Sequence, residues 1–182
     1  MTITRDHIVA TLGEYLGRHP GERAGMADFL AILDTDGDLC SRANLPGHVT
    51  CSAAVINPGG QVLLIRHNVL GRWLLPGGHL DSGDASPLTG ALRELKEETG
   101  ISWQPPGDAS GDLVPFDIDV HAIPASPAKG EPDHWHADFR FAFRVRETQI
   151  RLQLDEVNDY AWRDPADLPT TRLVAKLSRF AA

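Results

Sequence analysis

The spacing of the apolar residues changes along the chain and predicts two kinds of element. In residues 1–45 apolar side chains recur every three or four positions, which indicates helices. From about residue 48 the pattern becomes β-prone, with runs at 49–56 and 61–66 separated by a Pro-Gly-Gly turn at 58–60. Two such runs joined by a turn of this composition predict a β-hairpin.

The later segments alternate strands with helices. One strong helical pattern covers residues 87–99, strand patterns lie near 114–123 and 135–147, and a short one at 160–162 precedes a C-terminal helical pattern. Strands interrupted by one central helix and flanked by further helices are typical of an α/β sandwich around a mixed sheet. This is the fold class that the pattern predicts.

The length of 182 residues fits one domain, or one domain with an appendage. The change of spacing divides the chain into an N-terminal helical extension, residues 1–46, and an α/β domain, residues 47–182. With 42% hydrophobic and 23% charged residues the chain has enough apolar side chains for a core without disulfides. A homodimer is compatible with this composition.

Charge and cysteine usage narrow the function classes. A net charge of −8 argues against a nucleic-acid polymer as partner, because broad phosphate contacts need clustered Lys and Arg. Cys40 and Cys51 lack metal-ligand spacing and are expected to be reduced thiols. No signal peptide or membrane-length apolar run is visible, so we expect a cytoplasmic protein without a membrane partner.

The helical pattern at 87–99 carries the candidate chemistry. Ser86 suits the N-cap, Pro87 the first helical position and Gly100 the position after the last turn. The three carboxylates of this helix fall on one side, within about 100° of arc; they are Glu94, Glu97 and Glu98. Such crowding is either a solvated acidic surface or a binding site for hard divalent cations.

The preceding loop favours the cation site. Residues 75–84 are glycine-rich and lead directly into the acidic helix, so their backbone can come close to a metal ion and to phosphates. This loop, a downstream acidic residue and the run Arg-Glu-Leu-Lys-Glu-Glu-Thr-Gly-Ile at 93–101 together resemble the signature of the Nudix hydrolase family.

The resemblance implies a fold, a reaction and a cofactor. The fold is a Nudix-type α/β/α sandwich with a mixed β-sheet, here preceded by the N-terminal helical extension. The activity is that of a pyrophosphohydrolase that uses Mg²⁺ or Mn²⁺. Water attacks a phosphorus of a nucleoside diphosphate linked to another moiety, as in an ADP-ribose-like compound, a nucleotide sugar or a nucleoside triphosphate.

The resemblance also assigns roles in the motif. Glu94, Glu97 and Glu98 supply metal ligands, and the Gly77 carbonyl adds another. Arg93 orients the glutamates and belongs with Glu94 and Glu97 to the catalytic group. The chain departs from the family pattern in the loop, where Asp84 stands in place of the usual glutamate and eight residues separate it from Arg93 instead of seven. Asp84 either reaches the site or supports the loop.

An acidic residue from a distant loop often completes the site in this family, as a ligand or a general base. Glu156 is the best candidate, because it lies in Leu-Asp-Glu-Val shortly before the predicted last strand, and Asp155 is the second choice. A polar turn before a strand is the alternative explanation for both.

Two predicted strands carry polar side chains on one face. Period-two alternation aligns Asp117, Asp119 and His121 in one strand and His134, His136, Asp138 and Arg140 in the other. We consider substrate recognition by His121, His134, His136 and Arg140, an auxiliary metal site of His and Asp ligands, and a solvated sheet face. Arg66, at the end of an earlier strand, is a further candidate for contact with substrate.

Two alternatives to hydrolysis remain within the same resemblance. A catalytically weak Nudix sensor would bind a nucleotide without turnover, but such proteins typically lose helix glutamates that this chain keeps. An isopentenyl-diphosphate isomerase resembles the chain in residues 155–157 and in His79. That enzyme uses a catalytic cysteine where this chain has Gly77 and Gly78, so isomerase chemistry is disfavoured.

Overall fold

The computed structural model describes residues 2–104, 113–127, 130–146 and 148–181. The α-helices are α1 (Arg5–Arg18), α2 (Ala27–Leu33), α3 (Pro87–Thr99) and α4 (Thr171–Ala181), with 3-10 turns at Pro20–Met26 and Pro165–Asp167. The strands are β1 (Gly47–Ile56), β2 (Val62–His67), β3 (Trp73–Leu74), β4 (Gly77–His79), β5 (Asp117–Ile123), β6 (His134–Arg144) and β7 (Val157–Arg163).

Within the described residues these strands form one mixed sheet. Its main order is β3-β2-β1-β6-β5, with β4 paired to β1 and β7 paired to β2. β1 runs parallel to β6 along its whole length and antiparallel to β2 and β4. The predicted hairpin is confirmed as β1 and β2. The strand predicted at 135–147 ends at Arg144, and residue 147 lies outside the described part of the chain.

Helices cover both faces of this sheet. Val49, Cys51, Ala53 and Val55 of β1 point to one side and pack in a core with Leu88, Ala91 and Leu95 of α3. Ala54 and Ile56 point to the other side and pack with Leu173 and Leu177 of α4. The alternation of β1 therefore separates two apolar layers, and the predicted α/β/α sandwich with a mixed sheet is confirmed.

The N-terminal helices lie on the α3 side of the sheet. Ile8, Leu12, Tyr15 and Phe29 belong to the same apolar core as Ala53 and Leu95. The extension over residues 1–46 is therefore packed against the sheet, and the division of the chain at residue 47 stays a prediction. None of the helices that the structure describes has both the length and the apolar character that a membrane crossing demands.

Helix α3 begins and ends where its capping residues predict. The Thr89 N–H donates to the Ser86 hydroxyl at 3.3 Å, and Pro87 occupies the first turn. Gly100 ends the helix in the left-handed conformation, with φ of 74°, which an L side chain rarely adopts. These caps fix the axial position of the helix and therefore the height at which its carboxylates meet the sheet.

Strand β4 was not predicted. The sequence of residues 74–78 indicates a break in regular structure, because short glycine-rich segments have little strand propensity. In the structure Gly77, Gly78 and His79 pair with Ser52, Cys51 and Thr50 of β1. The long central strand supplies the hydrogen-bonding partner that this segment lacks by itself, and it positions the glycines beside α3.

Candidate functional site

Arg93 connects helix α3 to the loop before it. Its Nη1 donates to Glu94 Oε1 at 3.0 Å and to Glu97 Oε2 at 2.9 Å. Its Nη2 donates to the His79 carbonyl at 2.8 Å and to Asp84 Oδ2 at 3.1 Å. The guanidinium therefore contacts two of the helix glutamates and holds the loop against the helix, and its catalytic role stays a prediction.

Asp84 supports the loop. It is 5% exposed and accepts from Arg93 Nε at 3.2 Å as well as from Nη2, and its Oδ2 also accepts from the Asp81 N–H at 2.8 Å. Both carboxylate oxygens are thus engaged by the loop and by Arg93. Of the two roles left open by the sequence, these contacts favour loop support, with the carboxylate of aspartate replacing the longer glutamate side chain.

Glu94 and Glu98 face the sheet, whereas Glu97 faces solvent. Glu98 is 2% exposed and its Oε2 accepts from the Gly77 N–H at 2.9 Å. Burial raises the pKa of Glu98 to about 8, with the charges of Glu94 and Glu156 adding to the effect and the Gly77 hydrogen bond opposing it. Burial also raises the pKa of Glu94, against the attraction of Arg93.

Two glycines allow the sheet to approach these carboxylates. A Cβ on Gly78 would lie 2.5 Å from Glu94 Oε1, and one on Gly77 would overlap the backbone of β1 at Cys51 and Ser52. The N–H of Gly77 takes part in this approach, and its carbonyl is the group predicted as a metal ligand. Its role as a ligand stays a prediction.

Glu156 reaches the same region from another part of the chain. The Arg151 N–H donates to the Thr99 carbonyl at 2.8 Å and the Gln153 N–H to the Glu98 carbonyl at 3.2 Å. The segment before β7 therefore runs along the C-terminal end of α3. The negative charge of Glu156, an exposed residue, contributes to the raised pKa of both Glu94 and Glu98.

The carboxylates fit a hard divalent cation. Buried carboxylates that repel one another are costly unless positive charge compensates them. Within the described part of the chain, the Arg93 guanidinium donates to Glu94 and Glu97, whereas Glu98 accepts a hydrogen bond from the neutral N–H of Gly77. Oxygen donors of this kind are those that Mg²⁺ and Mn²⁺ prefer. Glu94, Glu97, Glu98 and Glu156 are the residues available to hold such an ion.

The polar faces of β5 and β6 meet, because the two strands pair antiparallel. Asp117 lies opposite Arg140, Asp119 opposite Asp138, and His121 opposite His136. Asp117, His134 and Asp138 are buried and the other polar residues of this face are partly buried, which disfavours a solvated sheet face.

Arg140 donates hydrogen bonds to three protein carboxylates within this face. Its Nε donates to Asp138 at 2.8 Å, its Nη1 to Asp117 at 3.1 Å and its Nη2 to Asp119 at 2.8 Å. Asp138 also accepts from the Ser52 hydroxyl at 2.8 Å. A substrate anion would have to displace one of these partners, so the predicted contact of Arg140 with substrate stays a prediction.

Five of the eight histidines gather at one end of the same face. They are His48 of β1, His79 of β4, His121 of β5, and His134 and His136 of β6. Burial lowers the pKa of His79 to about 4 and that of His136 to about 2, with further lowering by neighbouring histidines. These two imidazoles are therefore neutral at physiological pH.

Sequence reasoning missed His48 in this group. The parallel pairing of β1 with β6, which brings His48 opposite His136, joins residues 88 positions apart and leaves no local pattern. Arg66, by contrast, is exposed at the end of β2, opposite Asp159 of β7. Its predicted contact with substrate stays a prediction.

Comparison with known proteins gives the family. A family model described as the NUDIX domain matches residues 46–182. A probable DHNTP pyrophosphohydrolase from Lactococcus lactis subsp. cremoris is 33% identical over 101 residues, which are 56% of this chain and 57% of that relative. An RNA pyrophosphohydrolase from Acidiphilium cryptum is 29% identical over 162 residues, covering 75% of this chain and 93% of the relative.

A solved structure agrees with the fold. A NUDIX family hydrolase from Clostridium perfringens superposes with a TM-score of 0.55 at 21% identity, over 74% of this chain and 95% of that one. The match of the family model over three quarters of the chain, together with the loop and helix of the carboxylate site, confirms the resemblance seen in the sequence. The chain belongs to the NUDIX family.

Proposed function

We propose that this chain hydrolyses a phosphoanhydride bond in a nucleoside diphosphate linked to another moiety, with Mg²⁺ or Mn²⁺ as cofactor. The observation that carries the proposal is the group of helix carboxylates buried against two glycines of β4, with the pKa of Glu98 raised to about 8. The pyrophosphohydrolase names of the two relatives support the same class of reaction.

We assign metal binding, positioning of the ligands and proton acceptance to different side chains of the site. Glu94, Glu97 and Glu98 would hold the metal ion together with the Gly77 carbonyl, and Arg93 keeps Glu94 and Glu97 in position through its two Nη1 hydrogen bonds. When bound, the ion offsets the charge of the diphosphate and lowers the pKa of water. Glu156 approaches from solvent and is the group that we assign to accept the proton of the attacking water, or to complete the ligand set.

The isomerase alternative lacks a suitable thiol in the described part of the site. Cys51 is the cysteine near Gly78, and its Sγ lies 3.7 Å from the Gly78 carbonyl. It is buried in the apolar core on the α3 side, and burial raises its pKa well above the usual range. A thiol in this state is not an effective nucleophile or acid.

A catalytically weak sensor is the second alternative, in which the same carboxylate site would bind a nucleotide without turnover.

The two cysteines are free thiols, which agrees with the cytoplasmic location that we propose. A cytoplasmic enzyme of this class would meet nucleotide sugars, ADP-ribose-like compounds, nucleoside triphosphates and 5′-triphosphate ends of RNA.

A substrate panel tests the proposal. Each compound class is incubated with Mg²⁺ or Mn²⁺ and the released phosphate is measured after phosphatase treatment. We expect turnover of at least one compound, and a loss of about 100-fold or more in Glu94→Gln and Glu98→Gln, because both remove a buried ligand charge. Glu14→Gln, on the exposed face of α1, is the matched control and should retain full activity.

The panel also separates the alternatives. Binding of a nucleotide, measured by calorimetry, without turnover of any compound would favour the sensor. Full activity in both glutamate variants would refute the assignment of α3 as the metal-binding helix.

A further inference from the structure

Four of the five clustered histidines lie on three adjacent strands with their rings in contact. His48 lies opposite His136 across the parallel pair β1 and β6, and His134 precedes His136 by two residues on the same face. His79 lies opposite Thr50, two residues after His48 on β1. The ring centroids of His48 lie 4.5 Å from His136, 5.2 Å from His134 and 5.1 Å from His79.

The hydrogen bonds of two rings determine their tautomers. His48 Nδ1 lies 3.1 Å from the Asn44 carbonyl, and His134 Nδ1 lies 2.9 Å from the Pro132 carbonyl. A carbonyl oxygen only accepts, so both Nδ1 atoms carry the proton and donate it. In a neutral ring the Nε2 atom then holds a lone pair. Donation from the distal ring nitrogen to a backbone carbonyl is the arrangement usual for histidines that bind metal ions.

The candidate ligand nitrogens of the three rings lie close together. One ring nitrogen from each of His48, His134 and His136 lies within 4.8 Å of the others, and the Nε2 atoms of His134 and His136 are 3.2 Å apart. Two nitrogens bound at about 2.0–2.1 Å to a tetrahedral ion are separated by about 3.3 Å. The spacing of the His134 and His136 nitrogens therefore already matches that of two ligands of one ion.

A hydrogen-bonded network does not account for all three rings. His136 can donate to His134 Nε2, which satisfies that pair. His48 is 1% exposed, and its buried Nε2 has no hydrogen-bond partner among the residues that the structure describes. An unpartnered buried acceptor is unfavourable, because folding removes its hydrogen bonds to water and supplies none in return. A cation at the centre of the three nitrogens would remove this cost.

We infer that His48, His134 and His136 form a second metal site, for a first-row transition ion such as Zn²⁺, with the ring of His79 packed beside His48. Imidazole nitrogens bind Zn²⁺ and Co²⁺ well, whereas Mg²⁺ prefers the oxygen donors of α3. The two sites therefore differ in ligand chemistry as well as in position. A bound ion would tie β1, β4 and β6 together and fix the strand whose Gly77 and Gly78 face the carboxylates.

Binding of Co²⁺ tests this site independently of hydrolysis. The full chain is stripped with a chelator and titrated with Co²⁺ in the presence of excess Mg²⁺, which occupies the oxygen site. We expect one Co²⁺ per chain, competed by Zn²⁺, and an intense visible absorption band typical of low-coordinate nitrogen ligation. His134→Gln and His136→Gln should each weaken Co²⁺ binding by at least about 100-fold, since they remove a direct ligand.

Two control variants make the result specific. His7→Gln changes a histidine of α1 outside the cluster and should bind Co²⁺ like the wild type. Glu98→Gln should also bind one Co²⁺, although it is expected to lose hydrolysis, so failure of either proposal is visible separately. Circular dichroism confirms that each variant is folded.

Three results would overturn the inference. The first is less than about 0.2 Co²⁺ bound per wild-type chain, which needs no variant to interpret. The second is unchanged Co²⁺ affinity in folded His134→Gln and His136→Gln. The third is displacement of Co²⁺ by Mg²⁺ or its loss in Glu98→Gln, which would assign the ion to the carboxylates of α3 instead.

Discussion

Replacing Glu98 by glutamine removes a buried charge while keeping the shape and the acceptor of the side chain. The glutamine Oε1 can still accept from the Gly77 N–H, which donates to Glu98 at 2.9 Å in the wild type. The pKa of Glu98 is raised from 4.5 to about 8, chiefly by burial. Without a bound cation, the folded protein at pH 7 must therefore either protonate this group or bury its charge.

The size of this effect follows from proton linkage. A carboxyl group raised to a pKa of about 8 binds its proton more tightly in the folded state than in the unfolded chain, so the metal-free protein loses stability as pH rises from about 4.5 to 8. At about 1.4 kcal/mol per pKa unit, the loss is about 1 kcal/mol near pH 5 and about 3 kcal/mol near pH 7. Glu98→Gln should recover it.

Urea unfolding followed by tryptophan fluorescence measures the free energy of unfolding of the wild type and of Glu98→Gln at each pH. In a chelator, Glu98→Gln is expected to be more stable than the wild type by an amount that grows from pH 5 to pH 7. Excess Mg²⁺ should stabilise the wild type and have little effect on the variant, because the ion binds the ionised carboxylate. Glu14→Gln, at an exposed position of α1, should change stability by less than about 0.5 kcal/mol at either pH.

A metal-free variant that is less stable than the wild type at pH 7 would contradict a buried charge at Glu98. So would a stability difference that does not depend on pH, because the expected effect comes from the proton bound by Glu98. Equal stabilisation of both proteins by Mg²⁺ would show that Glu98 does not bind the ion.

Two further substitutions probe the surroundings of the site. Gly78→Ala places a Cβ 2.5 Å from Glu94 Oε1, which is the end of a flexible side chain. We therefore expect calorimetry to show weaker Mg²⁺ binding, with little loss of thermal stability. In the control variant Gly83→Ala the new Cβ meets nothing within 4 Å, and this variant should bind Mg²⁺ like the wild type. Arg140→Ala leaves the buried carboxylate of Asp138 without its guanidinium partner. Urea titrations should therefore show a free energy of unfolding that is lower by about 3–5 kcal/mol. A loss below about 1 kcal/mol would contradict a structural role for Arg140.

Helix α3 could be predicted because its determinants are local. Ser86, Pro87 and Gly100 act within one turn of the residues that they cap, and the helical period alone places Glu94 and Glu98 on one face. The hairpin of β1 and β2 was predictable for the same reason, since its turn lies between adjacent runs. In each case the partners that determine the structure are close in sequence.

The histidine cluster could not be predicted in full because its determinants are distant. Alternation places His134 and His136 on one face of β6, but the register of β1 with β6 decides which residue of β1 joins them. Likewise the alternation aligned Arg140 with Asp138, but only the pairing of β5 with β6 brings Asp117 and Asp119 to the same guanidinium. An arginine that binds substrate and an arginine that pairs with protein carboxylates occupy the same position in such an alternating sequence pattern.

Strand β4 connects the two proposed sites through three consecutive residues. Gly77 and Gly78 contact the carboxylates of α3 on one side, and the ring of His79 reaches the histidines on the opposite side of the sheet. The His79 carbonyl in turn accepts from Arg93 at 2.8 Å. A shift of β4 would therefore change the distance between its glycines and Glu94 as well as the position of His79. An ion held by the histidines would restrict that shift, and it would preorganise the carboxylate site without touching the substrate.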